Sequence, residues 1–321
     1  MRRGLLLLTT TLSLALIAQA GASERPRPRS RPGRCRGGRE LVLPEGTLVD
    51  KDIVCAKIGE REIKLDLYRP PKASGSSPLI IWVHGGGWRS GSKDLPYYVA
   101  PLLEHGYAVA SVEYRLSKEA VFPAAIEDCR AAVSYLRLNA KRLKLNPGRI
   151  GAWGRSAGGH LVALMGTTSG TDHFKTHPVT KEASSDVQAV CDWFGPTDFL
   201  RMNDVKGSID HDAANSPESK FIGGPIQENK EKVAAANPIT YVTKDDPPFL
   251  IMHGDRDREV ICNQSELLHD ALKKAGVEST LYKVERGGHG FGGAKESKTD
   301  LFDQVRLFFD EHLKPGESKK G

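Results

Sequence analysis

A serine, two aspartates and a histidine stand far apart in the chain, each just past a strand-like run and beside a glycine. The serine is Ser156, in Gly154-Arg155-Ser156-Ala157-Gly158, between the short apolar run Arg149 to Trp153 and the helix-forming run Gly159 to Met165. A serine in so tight a strand-to-helix turn takes strained backbone geometry and projects its hydroxyl, and small neighbours let the chain bend that sharply. His253-Gly254-Asp255-Arg256-Asp257 follows the apolar run Pro248 to Met252, and Gly287-Gly288-His289-Gly290-Phe291 follows Ser279 to Val284. A hydroxyl becomes a useful nucleophile only when a base within hydrogen-bond reach removes its proton. An imidazole titrates near enough to neutral pH to do so, and a carboxylate fixes its tautomer. Ser156 is read as nucleophile and His289 as base. Asp257 is read as the orienting acid, with Asp255 as its rival, since an aspartate beside a strand end also holds a turn through backbone hydrogen bonds.

A second glycine cluster complements this set. His84-Gly85-Gly86-Gly87-Trp88 follows the continuously apolar Leu79 to Val83. Three glycines leave backbone N–H groups unshielded, able to donate to the oxyanion of an acyl-transfer transition state, where one such donor is worth about 3 to 4 kcal/mol. A phosphate-binding loop would open a helix at once, whereas the next expected helix, around Leu95 to His105, starts too late. His84 and Gly85 are read as support for this loop rather than as a base.

The elements that must position these groups alternate along the chain, which predicts a mainly parallel sheet of about eight strands with helices on both faces. Residues 52–58 and 61–70 form an antiparallel opening pair at an edge. Buried strands follow at 79–83, 107–112, 149–153, 187–194, 248–252 and 279–284. Helices are expected from Pro123, after the serine, from Asn263 to Ala275 with Gly276 closing, and at the C-terminal end. Asn146-Pro147-Gly148 breaks the chain before the serine strand. Glu127 and Asp128 read as a solvated helix face. Residues 199–237 lack a clear period and are too long for an ordinary connection, which suggests a lid that selects substrate. Asp210-His211-Asp212 within it reads as a solvated turn rather than a metal cluster.

The chain has 321 residues and a formal charge of +6. Met1 to Ala20, with Arg2 and Arg3, an apolar run and Ala18-Gln19-Ala20, reads as a signal peptide too short to span a membrane, so export to the periplasm or medium is expected. Residues 21–40 hold seven arginines against Glu24 and Glu40; with Arg2 and Arg3 they account for +7, leaving 41–321 near −1. That Arg/Pro-rich stretch is expected to be a disordered tether able to contact anionic polymer. The domain should run from 41 to 313, with a polar tail at 314–321. Of the five cysteines, Cys35 and Cys55 can pair in an exported protein, Cys129 and Cys191 read as core, and Cys262 as structural. No metal, cofactor or nucleic-acid partner is implied, nor a membrane span after leader removal.

Taken together, His84 to Trp88, Arg149 to His160, Gly195-Pro196-Thr197-Asp198, His253 to Asp257 and Gly288 to Phe291 resemble exported bacterial esterases of the α/β-hydrolase superfamily. The branch is that of feruloyl and acetyl-xylan esterases and hormone-sensitive-lipase-like carboxylesterases. The resemblance runs from about 50 to 313. It implies an oxyanion hole from the N–H groups of Gly86, Gly87 and Ala157, and it favours Asp257 as the acid. Two departures stand out: Val260 is followed by Ile261 and Cys262 where relatives carry Val-Pro, and the arginine-rich stretch has no counterpart. The expectation is a secreted serine carboxylesterase acting on small acyl esters, acetyl or feruloyl groups on polysaccharide included. The alternatives are a hydrolase-like carbohydrate- or surface-binding protein without catalysis, and a peptidase of related fold.

Overall fold

The computed structural model describes residues 41–71 and 75–314. The expected leader, the arginine-rich stretch, Cys35 and most of the C-terminal tail lie outside the described residues. Strands β1 (Leu48–Ile58), β2 (Arg61–Arg69), β3 (Ser77–Val83), β4 (Ala108–Val112), β5 (Leu145–Arg155), β6 (Ala189–Trp193), β7 (Phe249–Gly254) and β8 (Ser279–Val284) form one sheet in the order β1-β2-β4-β3-β5-β6-β7-β8. The pairs β1/β2 and β2/β4 are antiparallel; all later neighbours are parallel. The helices are α1 (Ala124–Leu138), α2 (Ala140–Leu143), α3 (Ala157–Thr167), α4 (Val179–Glu182), α5 (Pro217–Ile222), α6 (Lys230–Ala236), α7 (Asn263–Ala275) and α8 (Lys298–Leu313).

A strand covered on both faces must be apolar at every position, and β3 is buried throughout. Its alternation divides the core. Leu79, Ile81 and Val83 face a cluster shared with α1, α3 and α7, while Ile80 and Trp82 face one shared with α8. Each such side chain contributes about 1.5 to 3 kcal/mol by leaving water. Helix α3 is buried at all of its residues, as a helix apolar on every side requires. Helix α7 ends on Gly276 in the left-handed region, and α8 opens with a capping box between Ser297 and Asp300.

Three expectations need correction. The helix around 95–105 is only a 3-10 turn, Ala100–Leu103, because Pro96 and Pro101 lack the N–H donors a longer helix needs. Asn146-Pro147-Gly148 does not end a strand but bulges within β5, where Ser77 pairs with Leu145 and Leu79 with Ile150. Asp128 is fully buried, not solvated: it accepts from the Arg115 backbone N–H (2.8 Å), the Arg115 guanidinium and His177 Nε2 (3.1 Å). Glu127 also reaches Arg115, at 3.3 Å. Cys55 is a thiol buried against Ile63 O at 3.3 Å, and burial pushes it up to about 12; Cys35, its expected partner, lies outside the described residues.

The turn into α3 has no room for side chains. A Cβ on Gly158 would lie 2.2 Å from Val83 O, a backbone atom that cannot step aside. Gly158→Ala should therefore cost about 3 kcal/mol or prevent folding, whereas Gly75→Ala, with nothing within 4 Å of the added carbon, should change stability by less than about 0.5 kcal/mol. Urea midpoints of the two variants check this; equal midpoints would refute it.

Candidate active site

Ser156 joins the last residue of β5 to the first of α3 and has φ 53° and ψ −124°, a conformation that side chains other than hydrogen resist by about 1 to 3 kcal/mol. The surrounding backbone over-determines it: Ser156 N–H donates to Trp193 O at 2.8 Å, and Ser156 O accepts from His160 N–H at 3.0 Å. Oγ is thereby held at the carboxyl edge of the sheet. His289 Nε2 lies 3.1 Å from it, and His289 Nδ1 lies 2.7 Å from Asp257 Oδ2.

The acid is held by its loop. Asp257 Oδ1 accepts from the N–H groups of Glu259 (2.8 Å) and Val260 (3.0 Å), and Oδ2 also lies 3.4 Å from His253 Nε2. Burial alone would push this carboxyl up. The interactions with His253 and His289 outweigh it and hold Asp257 well below the usual carboxylate range. Asp255 is exposed, with its backbone N–H donating to Val284 O at 3.1 Å, so it serves the turn and stands apart from the imidazole. The loop bearing the histidine is stitched to the acid loop where Arg256 N–H donates to Gly287 O at 2.9 Å. Phe194 packs edge-on against the His289 ring at 4.7 Å and limits its swing.

The glycine loop packs directly on the elbow: a Cβ on Gly85 would lie 3.2 Å from Ser156 Cβ. Gly86 and Gly87 take φ of 114° and 59°, and the Gly86 carbonyl is turned away to accept from Arg89 N–H (3.1 Å) and Ser90 N–H (3.2 Å). Among the described residues the N–H groups of Gly86, Gly87 and Ala157 donate to no protein acceptor, and all three residues line the cleft that holds Ser156 and His289. His84 braces the loop: it is buried, Nδ1–H donates to Gly85 O at 2.8 Å, and the ring stacks on Tyr114 at 4.3 Å. Burial pulls its basicity down.

The cleft has a volume of about 420 Å³, and Ile209, His211, Pro217 and Glu218 supply part of its wall. The solvated-turn expectation for 210–212 holds for Asp210 and Asp212, which are exposed, but fails for His211, which is buried. Its Nδ1 lies 2.9 Å from Glu218 Oε2, and Nε2–H donates to Glu259 O at 2.9 Å. Glu218 went unnoticed because Pro217-Glu218-Ser219-Lys220 reads locally as an exposed helix start. His253, quoted only as part of a motif, is the second imidazole on the acid. Among the described residues no cluster of three or more potential ligands is placed to hold a metal ion.

A sharp strand-to-helix turn at Ser156 after the fifth strand of such a sheet, with Asp257 and His289 on the loops after the seventh and eighth, is the arrangement of an α/β-hydrolase fold. The BD-FAE family model matches residues 65–272, and the chain belongs to that family. It is 33% identical to a carbohydrate esterase from gut microbiota, solved in truncated form, over 85% of this chain and 99% of that one, with a TM-score of 0.76. It is 34% identical to a bifunctional GH43-CE protein of Bacteroides eggerthii over 82% of this chain and 38% of that one, TM-score 0.73. Among curated relatives, the probable carboxylic ester hydrolase LipM of Mycobacterium tuberculosis is 28% identical over 73% of this chain and 54% of its own length. The chain spans about half the length of the curated relatives it matches.

Two measurements probe the geometry. Asp257→Asn should lower kcat/KM on a short aryl ester roughly 10⁴-fold, since the amide no longer enforces the imidazole tautomer, while Asp255→Asn should stay within about threefold. Comparable losses in both would reassign the acid. The second concerns His211. Burial would pull its imidazole down, but the Glu218 carboxylate outweighs this and raises it above its ordinary value. A raised value in the folded state gives stability that is full below the unfolded value, about 6.5, and is lost as pH rises through the folded one. Glu218→Gln should thus cost about 2 kcal/mol at pH 6 and much less at pH 9. Denaturant midpoints showing the same cost at both pH values would refute the pairing.

Proposed function

We propose that this protein is a serine carboxylesterase that hydrolyses short acyl esters through an acyl-enzyme. The observation that carries the reading is the row Ser156 Oγ, His289 Nε2/Nδ1, Asp257 Oδ2, at 3.1 and 2.7 Å, opening on a cleft lined by free backbone donors. His289 takes the hydroxyl proton as Oγ attacks the ester carbonyl carbon. The carbonyl oxygen becomes an oxyanion and accepts from the N–H groups of Gly86, Gly87 and Ala157. Collapse breaks the bond to the alcohol, which leaves with the proton held on Nε2. Water then attacks the acyl group, giving its proton to the same nitrogen, and the acid leaves as the serine hydroxyl is restored. Asp257 keeps the Nδ1 proton in place and stabilises the imidazolium.

The esterase names of the relatives and the carbohydrate esterase neighbours support this class, and with it acetyl or feruloyl groups on polysaccharide as substrates. Export is part of the proposal and rests on the leader-like residues 1–20. Ser156→Ala should lower turnover of p-nitrophenyl acetate by at least about 10⁴-fold and abolish labelling by a fluorophosphonate probe. Full labelling of that variant would sink the nucleophile assignment, and absence of labelling in the unmodified protein would favour a binding module without catalysis.

A further inference from the structure

A second cleft, of about 220 Å³, adjoins the first and shares Arg155, Phe194 and Gly290 with it. Tyr97, Tyr98, Trp193 and Phe291 make its other walls largely aromatic, with Lys298 and Leu301. Tyr98 lies against Trp193 at 5.5 Å and 23°, and Trp193 meets Phe291 edge-on at 4.9 Å. These rings belong to a row that begins with Trp82 and Trp153 in the sheet, 5.2 Å apart, so the platform is anchored in the core. Two cations stand at this aromatic cleft. Arg155 Nη1 lies 3.3 Å from Tyr98 Oη, and Lys298 Nζ donates to Tyr97 Oη at 2.5 Å. Neither is paired with a carboxylate among the described residues, and no acid lines the cleft.

The aromatic side chains lining this cleft beside a guanidinium and an ammonium suit a ring that packs against them and carries an anion at its edge. The side of the ester that enters follows from the chemistry. The oxyanion donors Gly86, Gly87 and Ala157, with the insertion residues Ile209 to Glu218, all line the first cleft and none lines the second. The leaving alcohol is the part that takes the proton from His289, and Gly290, the next residue in the chain, lines both clefts and joins the second to it. We propose that this aromatic cleft is a subsite for a six-membered ring bearing a carboxylate, presented on the alcohol side of the scissile ester. The alcohol-side placement rests on the esterase reading above; the ring subsite does not.

Binding to Ser156→Ala, which lacks the attacking hydroxyl, separates the two. Galacturonate, galactose and 4-hydroxybenzoate are titrated against it by calorimetry at low salt. Galacturonate or 4-hydroxybenzoate should bind roughly tenfold tighter than galactose, and the tighter of the two tells whether the ring is a sugar acid or an aromatic acid. The advantage should shrink on raising salt to about 0.5 M and fall roughly three- to tenfold in the additional variant Lys298→Met. The unmodified protein gives a parallel reading, with the same compounds tested as inhibitors of p-nitrophenyl acetate hydrolysis. Equal binding of galactose and the acids, no binding of any of them, or an advantage untouched by both salt and Lys298→Met would overturn the subsite. Galacturonate binding by a protein that leaves p-nitrophenyl acetate intact would support the ring subsite while overturning the esterase reading and, with it, the alcohol-side placement.

Discussion

The site depends on one steric constraint: the backbones of β3 and β5 and the Asp192 carboxylate of β6 approach the start of α3 so closely that no Cβ fits between them. A Cβ on Gly154 would lie 2.2 Å from Gly158 O, one on Gly158 2.2 Å from Val83 O, and one on Gly159 2.2 Å from Asp192 Oδ1. The helix that follows the serine is thereby wedged against β3, β5 and β6 at once. Its burial along its whole length offsets the strain at Ser156. The same approach fixes the glycine loop after β3 relative to Ser156, so the free N–H groups of Gly86 and Gly87 and the Ser156 hydroxyl hold one geometry. Preorganised donors cost no rearrangement as charge develops, which is the source of their effect.

The acid side is governed by charge rather than sterics. A buried carboxylate is tolerated only when its lone pairs are filled. Two backbone N–H groups fill Oδ1 of Asp257 and two imidazoles approach Oδ2. His253 is in turn fixed by Ser265 Oγ at 2.6 Å and Val260 O at 2.7 Å, which ties the acid loop to the start of α7. Asp128 repeats the pattern elsewhere in the fold, binding the chain after β4 to α1 through Arg115 and the segment after α3 to α1 through His177. Both carboxylates hold loops by converging hydrogen bonds where apolar packing would give no direction.

Much of this was legible because it is local. Continuous apolar runs gave β3, β4, β6 and β7, and the glycines around Ser156 and after β3 marked turns that other residues cannot make. The spacing that separated Asp257 from Asp255 was not local. Two residues apart, they differ only in which one the turn directs inward, and it took the family resemblance to prefer one. The failures share a cause. Asp128 and His211 meet partners 49 and 48 residues away, His177 and Glu259, and Glu218 is buried against His211; separations of that size lie outside any window of about 11 to 18 residues. The missing helix at 95–105 was a local error, since its two prolines were in plain view.

The insertion behaves as wall rather than flap. Phe221 of α5 stacks on Trp88 of the glycine loop at 4.5 Å, and its carbonyl accepts from Phe122 N–H at 2.7 Å. At the far end His160 Nε2–H, from α3, donates to Ala236 O at 2.8 Å, and Asn237 Nδ2 donates to Asp198 Oδ1 at 3.0 Å. Burial pulls the His160 imidazole down to about 4, so that it remains a neutral brace through the ordinary pH range. In the middle, His211 joins Glu218 to the backbone of the acid loop. Swinging this segment away would unstack Trp88, the residue that follows Gly87, and so would disturb the glycine loop beside Ser156. These contacts make the insertion part of the cleft wall, fixed at both ends and in the middle, so that changes to its side chains would reshape the cleft while the sheet and its loops stay in place.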